Sequence, residues 1–289
     1  MKHALLKSIG LMAIILAGPL AANPAQAKIQ VVVSILPQQW FVEHIGGDLV
    51  DTAVLVGPGH SPATFEPTPK QLAHLQGADL FISAGVPFEK GLLPRVESMR
   101  NGPRTCGNKP DPNRDGHDHH HGIDPHTWLD PSQALQMAEL ICAELSQLKP
   151  ESRPVFEANL EALHGNLTQL EEQIRSLLTP YRGREFFVFH PAFGHFASTF
   201  GLVQIAVEEH GHEPGPKQLA SVIEHAKSVG ASAIIVQPQF SRKAASTVAR
   251  AAGLEVVDLD PLSPQYDTNL LHIAKTLVKL FESAKKAGP

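Results

Sequence analysis

The sequence predicts an α/β protein of two lobes, each a mostly parallel four-stranded sheet flanked by helices, joined by one long helix. Three observations carry that expectation. Continuous runs of Val, Ile and Phe alternate with helical patterns through both halves of the chain; the segment between the halves carries a single apolar stripe; and the pentapeptide PKQLA occurs twice in matching surroundings. Unbroken apolar strands separated by helices suit parallel sheets covered on both faces, whereas a sheet with one wet face would alternate.

At the start of the chain, residues 1–27 have the pattern of a targeting segment. Lys2 and Lys7 precede the apolar run IGLMAIILAG, and AQA at 25–27 fits a small-residue cleavage site. The apolar run is too short to span a bilayer comfortably. No cysteine follows it, so no lipid anchor is expected, and the mature chain is read as a soluble exported protein beginning at Lys28. No later segment has a membrane-spanning apolar run, so no membrane insertion is expected. Cleavage would remove two lysines and no acid, taking the formal charge from −5 to −7. That balance argues against nucleic acid as a partner. The remaining chain, about 260 residues, suffices for two domains of ordinary size.

In the first half IQVVVSI (29–35), DTAVLVG (51–57) and ADLFISAG (78–85) read as buried strands. In the second, REFFVFH (184–190), VQIAVEE (203–209), ASAIIVQP (231–238) and LEVVDLD (254–260) repeat the scheme. Between them a helix is predicted over about 151–179. Phe156, Leu160, Leu163, Leu167, Leu170, Ile174 and Leu177 are spaced 4, 3, 4, 3, 4, 3, and a helix of that length extends roughly 40 Å, enough to serve both lobes as a rigid spine. A coiled-coil dimer would need more heptads, so a monomer is expected. PKQLA at 69–73 and 216–220 opens a helix each time and leads to Gly-Ala and a buried strand, GADLFIS and GASAIIV. The lobes are therefore read as related. The boundaries drawn are 28–149 for the N-terminal lobe, with a His-rich loop at about 107–122, 150–180 for the linking helix, and 181–289 for the C-terminal lobe.

In such folds ligands bind where loops leave the carboxyl ends of strands, and several of those loops carry metal-capable side chains. His60 follows the second strand, His190 ends FFVFH, Asp260 ends VVDLD, and His126 sits just before Trp128 and the next helix. Three imidazoles and a carboxylate from four loops suit tetrahedral Zn²⁺. Imidazole must be neutral to bind, so affinity should fall as the pH drops through the histidine range. The tract RDGHDHHHG holds His117, His119, His120 and His121 in a composition that cannot pack a core. Adjacent side chains mostly point apart, so this tract is read as a secondary, low-affinity zinc collector and not as the tight site.

These residues are accompanied by longer motifs. IDPHTWLDP (123–131), HPAFGHF (190–196), ADLFISAG and VVDLDPL are close to those of the periplasmic zinc/manganese substrate-binding proteins of ABC importers, and the chain resembles this ZnuA/TroA-like family over essentially its whole mature length. The resemblance implies two lobes bridged by a long helix, with the metal in the cleft between them. It places the ligand role on His126, His190 and Asp260, and the His-rich loop is typical of the zinc-importing members. It implies a periplasmic location, capture of Zn²⁺ and delivery to an ABC importer permease with its cytoplasmic ATPase. One position departs from the pattern: where members have His two residues before the aromatic of TFEP, this chain has Ala63. His60 would have to take that role by a different loop path, since three extended residues reach about 10 Å; water, Glu66 or a tract histidine are the other candidates.

Competing readings attach to the same residues. A protein of the same type serving Mn²⁺ or another divalent ion is the alternative; copper and nickel are included because imidazole sites follow the Irving–Williams order, so raw affinity alone would not favour zinc. A secreted zinc hydrolase would need an open coordination position and a base such as Glu66 or Glu208, but no HExxH or nucleophile motif is present, and no enzyme is expected. A metal-scavenging or adhesive surface protein would want an anchor. Asp260 could instead cap the turn at Pro261. His195 reads as core, His44, His74, His164, His225 and His272 as surface or satisfied positions, and His210 and His212 as a loop bordering the cleft. Cys106 and Cys142, the only cysteines, are a candidate disulfide in an oxidising compartment, tethering the loop to the helix around 134–148; spacing leaves open whether the sulfurs meet.

Overall fold

The computed structural model describes residues 27–109, 124–208, 215–240 and 242–286. The targeting segment up to residue 26, the histidine tract at 117–121, and His210 and His212 lie outside the described residues.

All seven apolar runs form strands, and an eighth joins them. β1 (Ile29–Ile35), β2 (Val50–Val56), β3 (Leu80–Ala84) and β4 (Arg104–Asn108) make one sheet in the order β2-β1-β3-β4. β5 (Glu185–Val188), β6 (Val203–Ala206), β7 (Ala233–Val236) and β8 (Glu255–Asp258) make the second in the order β6-β5-β7-β8. Every pairing is parallel, so the two sheets share one topology. The repeated PKQLA occupies the same place in both: it opens α2 (Pro69–Gln76) before β3 and α7 (Pro216–Ser228) before β7. Proline at the first helical position presets φ and gives up an N–H that has no intrahelical partner there. Thr68 completes the start of α2, accepting the Gln71 N–H at 3.3 Å while the Gln71 side chain accepts the Thr68 N–H at 3.0 Å.

A fourth strand was expected in this lobe but β4 was not located in the sequence, because Arg-Thr-Cys-Gly-Asn has no apolar run. Its partner strand holds it instead. The Ser83 hydroxyl lies 3.0 and 2.7 Å from the carbonyl oxygens of Cys106 and Asn108, which share its one donated hydrogen. Gly107 has φ of 104°, and a Cβ there would stand 2.2 Å from the Ser83 carbonyl oxygen, so only glycine fits this close approach.

The predicted spine is α5 (Arg153–Leu178). Phe156, Leu163, Leu167, Leu170 and Ile174 are buried, and the stripe ends on Leu178 with Leu160 and Leu177 only partly covered. One apolar cluster runs through α5, one face of each sheet, α1 (Leu36–Gly46), α4 (Pro131–Leu148) and α9 (Tyr266–Lys286). Polar ties fasten the helix at both ends: Asn159 Nδ2 donates to the Ile45 carbonyl at 2.9 Å and Arg175 to the Thr199 carbonyl at 3.3 Å.

The candidate disulfide is not formed in this structure; Cys106 and Cys142 are both free thiols. They look toward different neighbours. Cys142 lies on the α5 side of α4, where Glu157 and Arg153 act on it, whereas Cys106 on β4 is influenced by Glu144 and Arg104. Burial, with Glu144 adding to it, pushes the Cys106 thiol up to about 12, and a thiol held protonated is a poor nucleophile for disulfide exchange.

Glu89, at the start of α3 (Glu89–Glu97), is fully buried and accepts the N–H groups of Ala84, Gly85 and Val86 at 2.7, 2.8 and 3.1 Å. It thereby shapes the loop leaving β3. Burial pushes its carboxyl from 4.5 to about 7, against the pull of the Ser34 hydroxyl and the three N–H donors. The folded carboxyl thus holds its proton to higher pH than the unfolded one. Its contribution to stability is fully present below about 4.5 and is lost as the pH rises to about 7, a change of roughly 3 kcal/mol. Denaturation of metal-free protein should show wild type losing stability relative to Glu89→Gln across that window; a pH-independent difference would contradict the shift.

Candidate metal centre

The register of the second sheet assembles one half of the site. β5 pairs Val188 with Ala206 of β6 and with Ile235 of β7, and Val236 of β7 pairs with Asp258 of β8. Carried two residues past the strand ends, that register sets His190 between Glu208 and Gln237, and Asp260 beside Pro238. Ladder hydrogen bonds persist into this region, with Glu208 N–H on the Phe189 carbonyl at 2.9 Å and Leu259 N–H on the Val236 carbonyl at 3.0 Å. His190 and its supports therefore sit where strand order reverses, at β5 and β7, the usual ligand position of an open parallel sheet.

Each support has a definite job. Glu208, 8 % exposed, is 2.5 Å from His190 Nδ1. A carboxylate there places the proton on Nδ1 and the lone pair on Nε2, as in carboxylate–histidine–zinc arrangements. Gln237 holds the His190 backbone from both sides, donating to its carbonyl at 2.6 Å and accepting its N–H at 3.3 Å. Phe240 stacks on the imidazole with ring centroids 4.5 Å apart. Asp260 uses Oδ1 to accept from Gln239 Nε2 at 2.7 Å and from the Leu262 N–H at 2.9 Å. The turn-capping role weighed for Asp260 is thus real, and among the described residues its bonds are made through Oδ1.

His126 comes from the other lobe, just before a turn of 3-10 helix at Thr127–Leu129. Asp124 Oδ1 accepts its backbone N–H at 3.0 Å and lies 2.6 Å from its Nδ1, the same proton placement as on His190. Burial works to raise the Asp124 carboxyl, but the hydrogen bonds and charge of His126 and the charge of His195 outweigh it and hold the group below the usual carboxylate range. The lobes meet around this aspartate. His195 Nε2 is 3.0 Å from the Asp124 carbonyl and its Nδ1 is 3.0 Å from Gln133 Nε2, so His195 bridges the lobes and is not an apolar core residue. Gly194 lies so close that a Cβ would meet Asp124 Oδ2 at 2.8 Å. The Trp128 indole, 3 % exposed, donates to the Pro261 carbonyl at 2.8 Å, tying the His126 turn to the residue after Asp260.

The structure therefore brings His126 and His190 face to edge across the lobe boundary, with ring centroids 5.4 Å apart at 73°. It does not bring His60 to them by any recorded contact. His60 is exposed on the loop after β2, with Nδ1 3.1 Å from the Pro58 carbonyl. Ala63 and Glu66 are exposed too, while Phe65 anchors the loop edge-on against Phe88 at 5.0 Å. Among the described residues, no three His, Cys, Asp or Glu side chains stand ready as a metal shell. Of the other histidines, His44, His74, His164 and His272 are exposed and His225 is paired with Glu185 at 2.7 Å. Asp124, Gln237 and Gln239 were not singled out from the sequence; a carboxylate two residues before a candidate ligand was the one signal available for them.

Two lobes of identical parallel topology share one helix, and each sends an imidazole to their common boundary. The chain belongs to the ZnuA family, described as the periplasmic component A of a zinc-uptake complex, which matches residues 31–283. It is 29 % identical over 263 residues to the zinc-binding protein AdcA of Streptococcus pyogenes serotype M3, covering 82 % of this chain and 51 % of that one. The chain thus spans about half the length of that relative. Its fold is similar to a crystal structure of ZnuA, with a TM-score of 0.79 and 34 % identity, covering 88 % of this chain and 99 % of that one. Zn(II)-bound AdcA from Streptococcus pneumoniae is similar with a TM-score of 0.71 and 26 % identity, covering 88 % and 58 %.

Proposed function

We propose that the protein captures Zn²⁺ between its lobes in the periplasm and delivers it to the permease of an ABC importer driven by a cytoplasmic ATPase, without catalysing a reaction. The observation that carries this is the facing pair His126 and His190, each with Nδ1 held by a carboxylate. With Nδ1 engaged, each ring is left with Nε2 to offer a metal, a donor type suited to zinc. The family and the zinc-binding relatives support the same reading. In the proposed shell Asp260 adds Oδ2, and His60 completes it once its loop closes over the cleft. His117, His119, His120 and His121 supply weaker, separate binding. Among the described residues no helix is long and apolar enough to cross a membrane.

A chelator-competition titration of metal-free protein with Zn²⁺, and in parallel with Mn²⁺, tests this. One tight zinc equivalent is expected, weakened about 100-fold in His60→Ala if His60 is a full ligand. An unchanged variant would remove His60 from the shell. The absence of a tight zinc site, or a preference for Mn²⁺, would overturn the zinc assignment.

A further inference from the structure

The segment leaving β7 reads Gln237-Pro238-Gln239-Phe240, and three of its four side chains hold the two proposed ligands of the C-terminal lobe. Gln237 clamps the backbone of His190 and Phe240 stacks on its ring. Gln239 acts on Asp260: its Nε2 donates to Oδ1 at 2.7 Å, and the Leu262 N–H donates to the same oxygen at 2.9 Å. The amide has one sensible orientation, because the reverse would set its oxygen against a carboxylate. Its Oε1 is buried with no hydrogen-bond partner among the described residues. This orientation therefore leaves an acceptor unsatisfied while serving Asp260, which is unusual for a purely structural amide.

We propose that Gln239 is a specificity-determining residue for the captured metal: by occupying Oδ1 of Asp260 it limits that carboxylate to ligation through Oδ2 alone. One oxygen from Asp260 suits the four-coordinate shell of Zn²⁺. An ion that takes more oxygen ligands, such as Mn²⁺, gains from a carboxylate with both oxygens to give. The inference rests on the reading of Asp260 as a ligand. It deepens that reading by assigning the choice of metal partly to a side chain that never touches it.

The experiment is a chelator-competition titration of the full mature chain with Zn²⁺ and with Mn²⁺, on wild type, Gln239→Leu and Gln239→Met. Each is combined with Asp260→Ala, and the melting temperature of every metal-free variant is recorded. Losing a partner of this kind weakens metal binding about 10- to 100-fold. The expected result is about tenfold weaker zinc binding in both Gln239 variants, Mn²⁺ binding undiminished, and no further effect of either substitution once Asp260 is alanine. A zinc-to-manganese ratio equal to wild type in whichever variant keeps the wild-type melting temperature overturns the proposal. So does an equal loss of both metals. A wild-type chain without a tight zinc site, or an Asp260→Ala variant that binds zinc as wild type does, overturns the ligand assignment and this inference with it; those two measurements alone separate that failure from a failure of selectivity.

Discussion

His190→Ala is expected to weaken zinc binding by about 100-fold, and His126→Ala by a similar factor. A closed protein shell of four ligands binds zinc with an apparent ~10–16 kcal/mol near neutral pH, so one ligand carries on the order of 3 kcal/mol. These two histidines should carry at least that share, because their rings are already oriented. Glu208 and Asp124 fix the proton on Nδ1 of each, Gln237 holds the His190 backbone, and Phe240 limits rotation of its ring. Little ordering is left to be done when the ion arrives. The matched control is His225→Ala, whose ring is engaged with Glu185 and which should leave zinc affinity unchanged. Competition titration reads all three, with apo melting temperatures confirming that the variants fold. An affinity within twofold of wild type for His190→Ala would remove this pair from the site.

What could be foreseen from the chain, and what could not, divides along a physical line. Strands with continuous apolar runs were legible because burial on both faces leaves no room for polar residues. β4 was not, since its stability comes from β3 through the Ser83 hydroxyl and the close packing of Gly107. The histidines at strand ends were legible as chemistry. Their supports were not, because Glu208 lies 18 residues from His190 and Gln237 lies 47 residues away. They meet only through the register of β6, β5 and β7, which no local pattern contains. Register also explains why Gln239 and Asp260 touch although the stretch between them forms α8 (Arg242–Ala252) and β8. His60 is the reverse case. Its residue type and place after a strand both pointed to the metal, yet its loop lies on the surface with the ring turned to its own backbone.

The second large effect concerns the spine. Phe156→Ala is expected to cost about 3–5 kcal/mol and Ile174→Ala about 2–5 kcal/mol, since both side chains are fully buried and alanine leaves a cavity. For a chain of this size the larger loss lowers the melting temperature by about 10 °C. The more telling outcome is the form of the transition. Phe156 lies toward the N-terminal end of α5 and Ile174 toward its other end, yet both belong to the cluster that also contains Val31 and Ile82 of the first sheet and Val188 and Ile235 of the second. Each sheet turns its opposite face to a cluster of its own. Because the common core is continuous, both variants should shift one cooperative calorimetric transition. A second transition left at the wild-type temperature would show that the lobes unfold separately. A shared core also argues against wide hinge opening, which would expose apolar surface at about 25 cal/mol per Å². On the proposed function, metal exchange then falls to the loops at the strand ends, and first to the exposed part of the loop that carries His60, while Phe65 keeps the rest of that loop on the core.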